Sequence, residues 1–117
     1  MGCRAADHGL DYIPWEPNTD AAASFSKALQ GEKLSAREAE GYKTAVLLHL
    51  AKRYKELGVI MQLHYGAVRN NNPRAFSSLG PDTGYDAIGG GADSGLRLGG
   101  LLGAMDTDGG LPKTVIY

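Results

Sequence analysis

Apolar residues recur every three or four positions in the first half of the chain, which predicts two helices. The segment AAASFSKALQ follows polar residues that can cap a helix, and it ends at Gly31. A second, longer helix begins after the capping-box pair Ser35 and Glu38, and Gly58 ends it. The pattern predicts an amphipathic helix that packs along the outside of a sheet. Its apolar positions are Tyr42, Val46, Leu50, Tyr54 and Leu57.

The apolar run VIMQLH that follows Gly58 predicts a strand over Val59–His64. Polar residues do not alternate strongly through it, so we expect a strand that is covered on both faces. Successive side chains of a strand point to opposite faces, and Ile60, Gln62 and His64 therefore share one face. A further strand is predicted in LPKTVIY, where Thr114–Ile116 are β-branched.

Two more helices are predicted between these strands. Pro73 stands in the first turn of a short helix that ends at Gly80. Segment 86–110 holds nine of the chain's 17 glycines, so the helix predicted over Ser94–Met105 has low intrinsic stability. The alternation of helices and strands is typical of an α/β fold with parallel strands. A buried-type strand at the end of the sequence leaves an unpaired edge, which favours a fragment of a larger fold.

The length and composition limit the alternatives. A chain of 117 residues can form one modest domain, whereas a (β/α)8 barrel takes about 250 residues. Residues 1–117 are therefore interpreted as one segment with no internal domain boundary. The balance of 12 basic and 13 acidic residues predicts no nucleic-acid or membrane partner. A single cysteine, Cys3, and no apolar leader or span of about 20 residues predict a cytoplasmic protein.

Candidate chemistry begins where the first predicted strand ends. In parallel α/β folds the active site lies at the carboxyl ends of the strands, and His64 stands there, followed by Arg69 and Asn70–Asn72. An imidazole can bind a metal or carry protons, and an arginine can bind a carboxylate or phosphate through two hydrogen bonds. A lone histidine can equally be a hydrogen-bonded structural residue. One histidine does not make a metal site.

A second polar cluster lies in CRAADHGLD, where Asp7 and His8 are adjacent. On an extended strand these two side chains point in opposite directions. The segment could instead be an ordinary loop with an Asx turn, in which these residues have no functional role. The glycine-rich GGGADSG is not a P-loop, because it follows no strand and lacks the Lys-Ser/Thr ending. The scattered aspartates of the second half are interpreted as caps and turns: Asp82, Asp86, Asp93, Asp106 and Asp108.

Four segments of the chain resemble the uronate (glucuronate) isomerase family, and they match it in order along the chain. MQLHYGAVRNNN and LGPDTGYDAIG resemble that family's MQLH-x-GA-x-RNNN and LGPDTGFDSIG. CRAADHGLD is similar to its CR-x-SDHG segment, and LPKTVIY to its LPKTILY strand. The sequence departs from the family at Ala6, Val59 and Tyr65, and at the glycine-rich stretch 89–103, where a better helix usually stands.

The resemblance implies a fold and an activity. The fold is a fragment of an amidohydrolase-like (β/α)8 TIM-type barrel, from the end of strand four through strand six with the intervening helices. The complete enzyme would be an aldose-ketose isomerase for hexuronate sugar acids. It interconverts D-glucuronate with D-fructuronate, and D-galacturonate with D-tagaturonate, by moving a proton between C2 and C1 through an enediol. A homo-oligomer is also expected.

The resemblance also assigns roles to residues of this sequence. His64 falls on the family's strand-five metal ligand and is the expected catalytic residue, while Arg69, Asp7 and His8 are expected to bind or surround the substrate. The family's H-x-H pair and a further aspartate come from other strands, so the complete enzyme would hold a divalent metal such as zinc. We expect the fragment alone to hold no metal tightly and to be inactive.

Two alternatives remain open at this point. The chain could be a non-catalytic remnant or a fragment that self-associates through its open strand edges. It could also belong to a hydrolytic barrel of the same superfamily, although the RNNN and LGPDTG matches argue against that alternative.

Overall fold

The chain folds as a parallel sheet backed by helices in a computed structural model that describes residues 2–89 and 91–117. The elements in chain order are β1 (Ala5–Leu10), α1 (Ala21–Leu29), α2 (Ala36–Leu57), β2 (Ile60–Tyr65), β3 (Ala67–Val68), α3 (Pro73–Leu79), β4 (Ala87–Ile88), α4 (Ser94–Thr107) and β5 (Thr114–Ile116). The main sheet has the strand order β1-β2-β5, and both pairings are parallel. The predicted α/β class with parallel strands is therefore confirmed, and the predicted helices and the strands β2 and β5 stand in the predicted order, whereas β1 was not predicted as a full strand. A small antiparallel pair, β3 and β4, was not predicted.

The register of the sheet fixes which residues lie side by side. On one side of β2, Gln62 pairs with Asp7 and His64 pairs with Gly9. On the other side Leu63 pairs with Ile116, and the backbone N–H of the next residue, Tyr117, donates to the Leu63 carbonyl at 3.1 Å. The carboxyl ends of all three strands consequently meet at one edge of the sheet.

The hydrophobic core lies between the sheet and the helices on one side of it. Met61 and Leu63 of β2 are fully buried there. They pack against residues of α2, α4 and the loop after β1: Ile13, Leu47, Ala51, Leu101 and Met105. Ile60, Gln62 and His64 are only half-buried, as the predicted alternation requires. Among residues 2–89 and 91–117 the helices α2 and α4 pack on the same side of the sheet. The expectation that β2 is covered on both faces is therefore met on one face only.

Side-chain caps place the helix ends where the sequence predicts them. The Asp20 carboxylate accepts the Ala23 N–H at 2.9 Å at the start of α1. Ser35 and Glu38 form both hydrogen bonds of the capping box. Hydrogen bonds from the N–H and the hydroxyl of Ser35, together with one from Lys27, lower the pKa of the Glu38 carboxyl to about 2. Gly58 ends α2 in the left-handed conformation with φ of 67°. These ends depend on local sequence alone, which is why they were predictable.

The buried side of α2 differs from the predicted apolar stripe. Val46 and Leu57 are 36% and 67% exposed, whereas Thr44 and Ala51 are 1% and 0% exposed. The helix approaches the sheet through small residues, and the Thr44 hydroxyl can be buried because it accepts the Glu16 N–H at 2.9 Å. An apolar pattern alone does not identify such positions.

Glu40 of α2 connects the helices to the loop after β1. Its carboxylate accepts hydrogen bonds from the Tyr12 hydroxyl at 2.7 Å and the Trp15 N–H at 3.1 Å, and it forms an ion pair with Arg97 of α4. Arg97 also binds Asp93 at 2.6 Å. Burial favours a higher pKa for Glu40, but the hydrogen bonds from Tyr12, Trp15 and Arg97 outweigh it and hold the pKa below its ordinary value of 4.5.

Replacing Glu40 tests this connection. The Glu40→Gln substitution removes the charge bound by Arg97 and Tyr12, so we expect the free energy of unfolding to fall by about 1 to 3 kcal/mol. Urea unfolding followed by circular dichroism measures the change. Glu56→Gln is the matched control, because Glu56 forms an exposed ion pair with Arg53, and such pairs contribute about 0 to 1 kcal/mol. Equal losses of unfolding free energy in the two variants would contradict the role of Glu40 in connecting the helices to the loop.

The pH dependence of the Glu40→Gln effect has a definite sign. The folded state lowers the pKa of Glu40, so stabilisation by the carboxylate is complete above its ordinary value of 4.5 and is lost as the pH falls through the lowered pKa. The difference in unfolding free energy between the unsubstituted chain and Glu40→Gln should therefore shrink on acidification. A difference that grows as the pH falls would show that the carboxylate is not stabilising.

The glycines of α4 fall into two classes that substitution can distinguish. A Cβ on Gly100 would lie 2.5 Å from atoms of the Trp15 ring, whereas a Cβ on Gly99 would meet nothing within 4 Å. Gly100→Ala should destabilise the fold by about 1 to 3 kcal/mol through overpacking. Gly99→Ala should stabilise it by about 0.5 to 1 kcal/mol through helix propensity. Thermal unfolding of both variants checks the prediction, and destabilisation by Gly99→Ala would refute the claim that α4 is intrinsically weak.

Candidate functional site

Polar side chains occupy the face of the sheet that the helices leave uncovered. We call this surface the open face and define it by Asp7 of β1, Gln62 and His64 of β2, and Tyr117 directly after β5. Its residues come from three strands because the register brings Asp7 beside Gln62 and Tyr117 beside His64. The predicted placement of Gln62 and His64 on one face is confirmed.

Tyr117 is the residue that joins the others on the open face. Its hydroxyl donates a hydrogen bond to Asp7 Oδ1 at 2.8 Å, across 110 positions of sequence. Its ring stacks on the His64 imidazole, with ring centroids 4.6 Å apart and the planes 28° from parallel. The hydrogen bond to the Asp7 carboxylate raises the pKa of Tyr117. Tyr117 was missed from the sequence, although the period-two alternation of Val115 and Tyr117 places both on one face.

His8 lies on the opposite side of the sheet from Asp7. Its Nδ1 is 3.1 Å from the Gln62 carbonyl oxygen, and its Nε2 is 3.2 Å from the hydroxyl of Tyr54 on α2. Asp7 and His8 thus point to opposite sides of the sheet, as expected for consecutive residues of a strand. The placement of His8 argues against direct contact with a ligand on the open face, because α2 covers that side. Among the described residues His8 thus connects the sheet to α2, and its expected role beside the substrate stays a prediction.

Arg69 stands in a compact loop that follows β2. Its Nη1 is 3.2 Å from Asp86 Oδ2, and Asp86 Oδ1 accepts the N–H of Asn70 at 2.9 Å. Gly66 and Gly89 close the base of the loop, where the Gly89 N–H donates to the Gly66 carbonyl at 2.5 Å. Asp86 is thus the residue that holds Arg69 in place, a role the sequence could not assign beyond a turn.

A cleft of about 500 Å³ opens between this loop and the end of the sheet. His64 and Tyr117 form one side of the cleft, and Arg69, Asp86 and Ile88 line the other. Volumes of about 300 to 1,000 Å³ are typical of small-molecule sites. The cleft brings together a half-buried imidazole and a guanidinium, which suits an anionic ligand that undergoes proton transfer.

His64 is the expected metal ligand of this chain, and the described residues show which side chains stand near it. Within residues 2–89 and 91–117 there is no group of three His, Cys, Asp or Glu side chains that could hold a metal ion. His49 is exposed on α2 and far in sequence from the cleft residues. His64 therefore supplies at most one corner of such a site, and its role as a metal ligand stays a prediction.

Among the helices of residues 2–89 and 91–117, none combines the length and apolar character that crossing a membrane requires.

Comparison with curated proteins finds close relatives along the whole chain. The uronate isomerase of Salmonella arizonae is 49% identical over 121 residues, which cover 99% of this chain and 25% of the relative. The uronate isomerase of Caldanaerobacter subterraneus subsp. tengcongensis is 42% identical over 119 residues, with 100% and 25% coverage. The chain thus spans about a quarter of the length of these relatives.

Solved structures and family models agree with these sequence matches. The crystal structure of uronate isomerase from Thermotoga maritima superposes with a TM-score of 0.69 at 36% identity, covering 98% of this chain and 25% of that one. Glucuronate isomerase from Caulobacter crescentus gives a TM-score of 0.67 at 27% identity, with 98% and 24% coverage. The family model for glucuronate isomerase matches residues 1–117. The chain therefore belongs to the glucuronate isomerase family, as the resemblance in its strand-end motifs predicts.

Proposed function

We propose that this chain supplies one side of the active site of a uronate isomerase, an aldose-ketose isomerase acting on D-glucuronate and D-galacturonate. The observation that carries the proposal is the position of His64 and Arg69 around one cleft at the carboxyl ends of parallel strands, in a chain whose relatives are uronate isomerases. In the complete (β/α)8 barrel the three strands β1, β2 and β5 would be strands four, five and six.

The open face and the cleft supply groups that the reaction needs. Arg69 is half-exposed and can bind the carboxylate of a sugar acid, while Asp86 fixes its position. A carboxylate accepts several hydrogen bonds, so Asp7 can bind a sugar hydroxyl in addition to Tyr117. His64 shares the open face with Asp7 and lines the cleft with Arg69, and an imidazole there can carry the proton that moves between C2 and C1 or stabilise the oxyanion that develops.

A divalent metal, with zinc the expected ion, would need ligands from outside this chain. His64 is the candidate that the chain offers, and structural or catalytic zinc takes three or more protein ligands. When bound in a complete site, such a metal stabilises negative charge on the sugar oxygens. We propose that the 117-residue chain alone does not catalyse isomerisation, because it lacks the remaining ligands.

Self-association without catalysis is the second candidate function. It is favoured by the outer edges of β1 and β5, which pair with no strand among residues 2–89 and 91–117. Unpaired edges of this kind recruit other strands. In a complete barrel the same edges would be covered by neighbouring strands. Both candidate functions therefore require further strands beside β1 and β5, and catalytic activity is what distinguishes them.

A chimaera tests the proposed function. Residues 1–117 replace the matching quarter of the Salmonella arizonae uronate isomerase, and conversion of D-glucuronate to D-fructuronate is measured. We expect an active chimaera, and we expect His64→Ala to lower kcat/KM by about 100-fold or more, the size of a lost proton-transfer group. His49→Ala, on the exposed side of α2, is the matched control and should leave activity unchanged.

Two results would count against the isomerase proposal. A folded chimaera with no activity would favour the non-catalytic alternative, and sedimentation of the 117-residue chain would then show whether it self-associates. An active chimaera that is indifferent to His64→Ala would remove His64 from the catalytic machinery.

A further inference from the structure

We propose that Tyr117 is a positioning residue of this site, which holds the His64 imidazole with its ring and the Asp7 carboxylate with its hydroxyl. The inference rests on the proposed function and adds to it a residue that neither the sequence motifs nor the comparisons assign. Its basis is the pair of contacts that Tyr117 makes on the open face, the stack at 4.6 Å and the hydrogen bond at 2.8 Å.

The position of Tyr117 in the sheet explains how one side chain can reach both groups. β5 and β1 are not neighbours, because β2 lies between them. Strands are spaced by about 4.8 Å, so the backbones of β5 and β1 lie about 10 Å apart, and the side chains of Tyr117 and Asp7 close this distance together. The Tyr117 side chain lies across β2 against the His64 ring. Tyrosine carries a donor at the far end of its ring, whereas phenylalanine and leucine lack the donor.

The stack is the contact that orients His64. Within residues 2–89 and 91–117 the imidazole of His64 has no hydrogen-bond partner. The χ2 torsion of histidine is broad, so an imidazole without hydrogen bonds has no fixed ring plane unless packing supplies one. The Tyr117 ring lies nearly parallel to the imidazole and supplies that plane on one side.

The hydroxyl fixes Asp7 in turn. Asp7 is exposed, and the hydrogen bond from Tyr117 has a charged acceptor, which makes it stronger than a bond between neutral groups. Because one residue holds both groups, their separation is set by the length of the tyrosine side chain. A sugar acid that extends from the cleft over the open face would therefore meet the imidazole and the carboxylate in a fixed relation.

Tyr117→Phe and Tyr117→Leu separate the two contacts. Phenylalanine keeps the stack and removes the hydrogen bond, whereas leucine removes both. Nuclear magnetic resonance of the 117-residue chain reports the stack directly, since an aromatic ring shifts the resonances of the His64 ring protons. We expect the His64 resonances of Tyr117→Phe to stay close to those of the unsubstituted chain. Those of Tyr117→Leu should move towards the positions of an unstacked histidine.

The control for these variants is Tyr42, which stacks on Phe25 with centroids 5.7 Å apart on the helical side of the fold. Tyr42→Leu removes an aromatic stack of similar kind but should leave the His64 resonances and the activity of the chimaera unchanged. A general loss of stability would move the resonances in both leucine variants, so the comparison separates positioning from folding.

Kinetics of the chimaera give the second readout. Tyr117→Phe should lower kcat by about two- to tenfold, the effect of one lost hydrogen bond, and Tyr117→Leu should lower it further by a similar factor for the lost stack. KM should change little in either variant, because Arg69, held by Asp86, still binds the carboxylate. Tyr42→Leu should match the unsubstituted chimaera in both constants.

The outcomes distinguish this inference from the function on which it rests. Unchanged His64 resonances in Tyr117→Leu would overturn the positioning role, whatever the activity. An unchanged kcat in Tyr117→Leu would overturn its relevance to the reaction. If the unsubstituted chimaera is inactive, the proposed function fails, while the resonance measurement still decides whether Tyr117 orients His64.

Discussion

Parallel pairing of β1 and β5 with the two sides of β2 is the constraint on which the rest of the molecule depends. It sets the register that places Asp7 beside Gln62 and Tyr117 beside His64. A slip of one residue would move every side chain of the slipped strand to the other face. Asp7 would then point at α2, and His8 would take its place on the open face. The hydrophobic core prevents this slip, because Met61 and Leu63 of β2 are fully buried against the helices.

The connections between the strands explain why one face remains open. Parallel strands are joined by crossovers of one hand, and two successive crossovers that advance in the same direction place their helices on the same face. α2 and α4 accordingly pack together behind β2. This arrangement is typical of a segment of a barrel, in which helices cover the outside and strand ends carry the chemistry. The same geometry places His64 and Asp7 on the face of the sheet that points away from α2 and α4.

Much of the fold could be predicted because it depends on local sequence. The Ser35–Glu38 capping box, the start of α3 at Pro73 and the Gly58 helix end each depend on residues within one turn of each other. Alternation along a strand also predicted that Asp7 and His8 point apart. The stripe on α2 was mispredicted because its buried positions include Thr44, whose hydroxyl is satisfied by a partner distant in sequence.

The candidate site was predictable only in part. His64 and Arg69 stand next to a strand end that the sequence reveals. The residues that hold the site together are not next to that strand end in the sequence. Asp86 contacts Arg69 only when the loop 66–89 closes, and Tyr117 contacts Asp7 only when three strands align. Contacts of this kind depend on register, which an apolar pattern does not specify.

The measurement that tests the account most directly is the register of the sheet in solution. Nuclear Overhauser effects between backbone protons of neighbouring strands report it residue by residue. The account predicts cross-peaks that pair Asp7 with Gln62 and Gln62 with Val115. A set of cross-peaks that fits only a register in which His8 takes the place of Asp7 beside Gln62 would contradict it, because that register would place His8 on the open face and remove Asp7 from the reach of Tyr117.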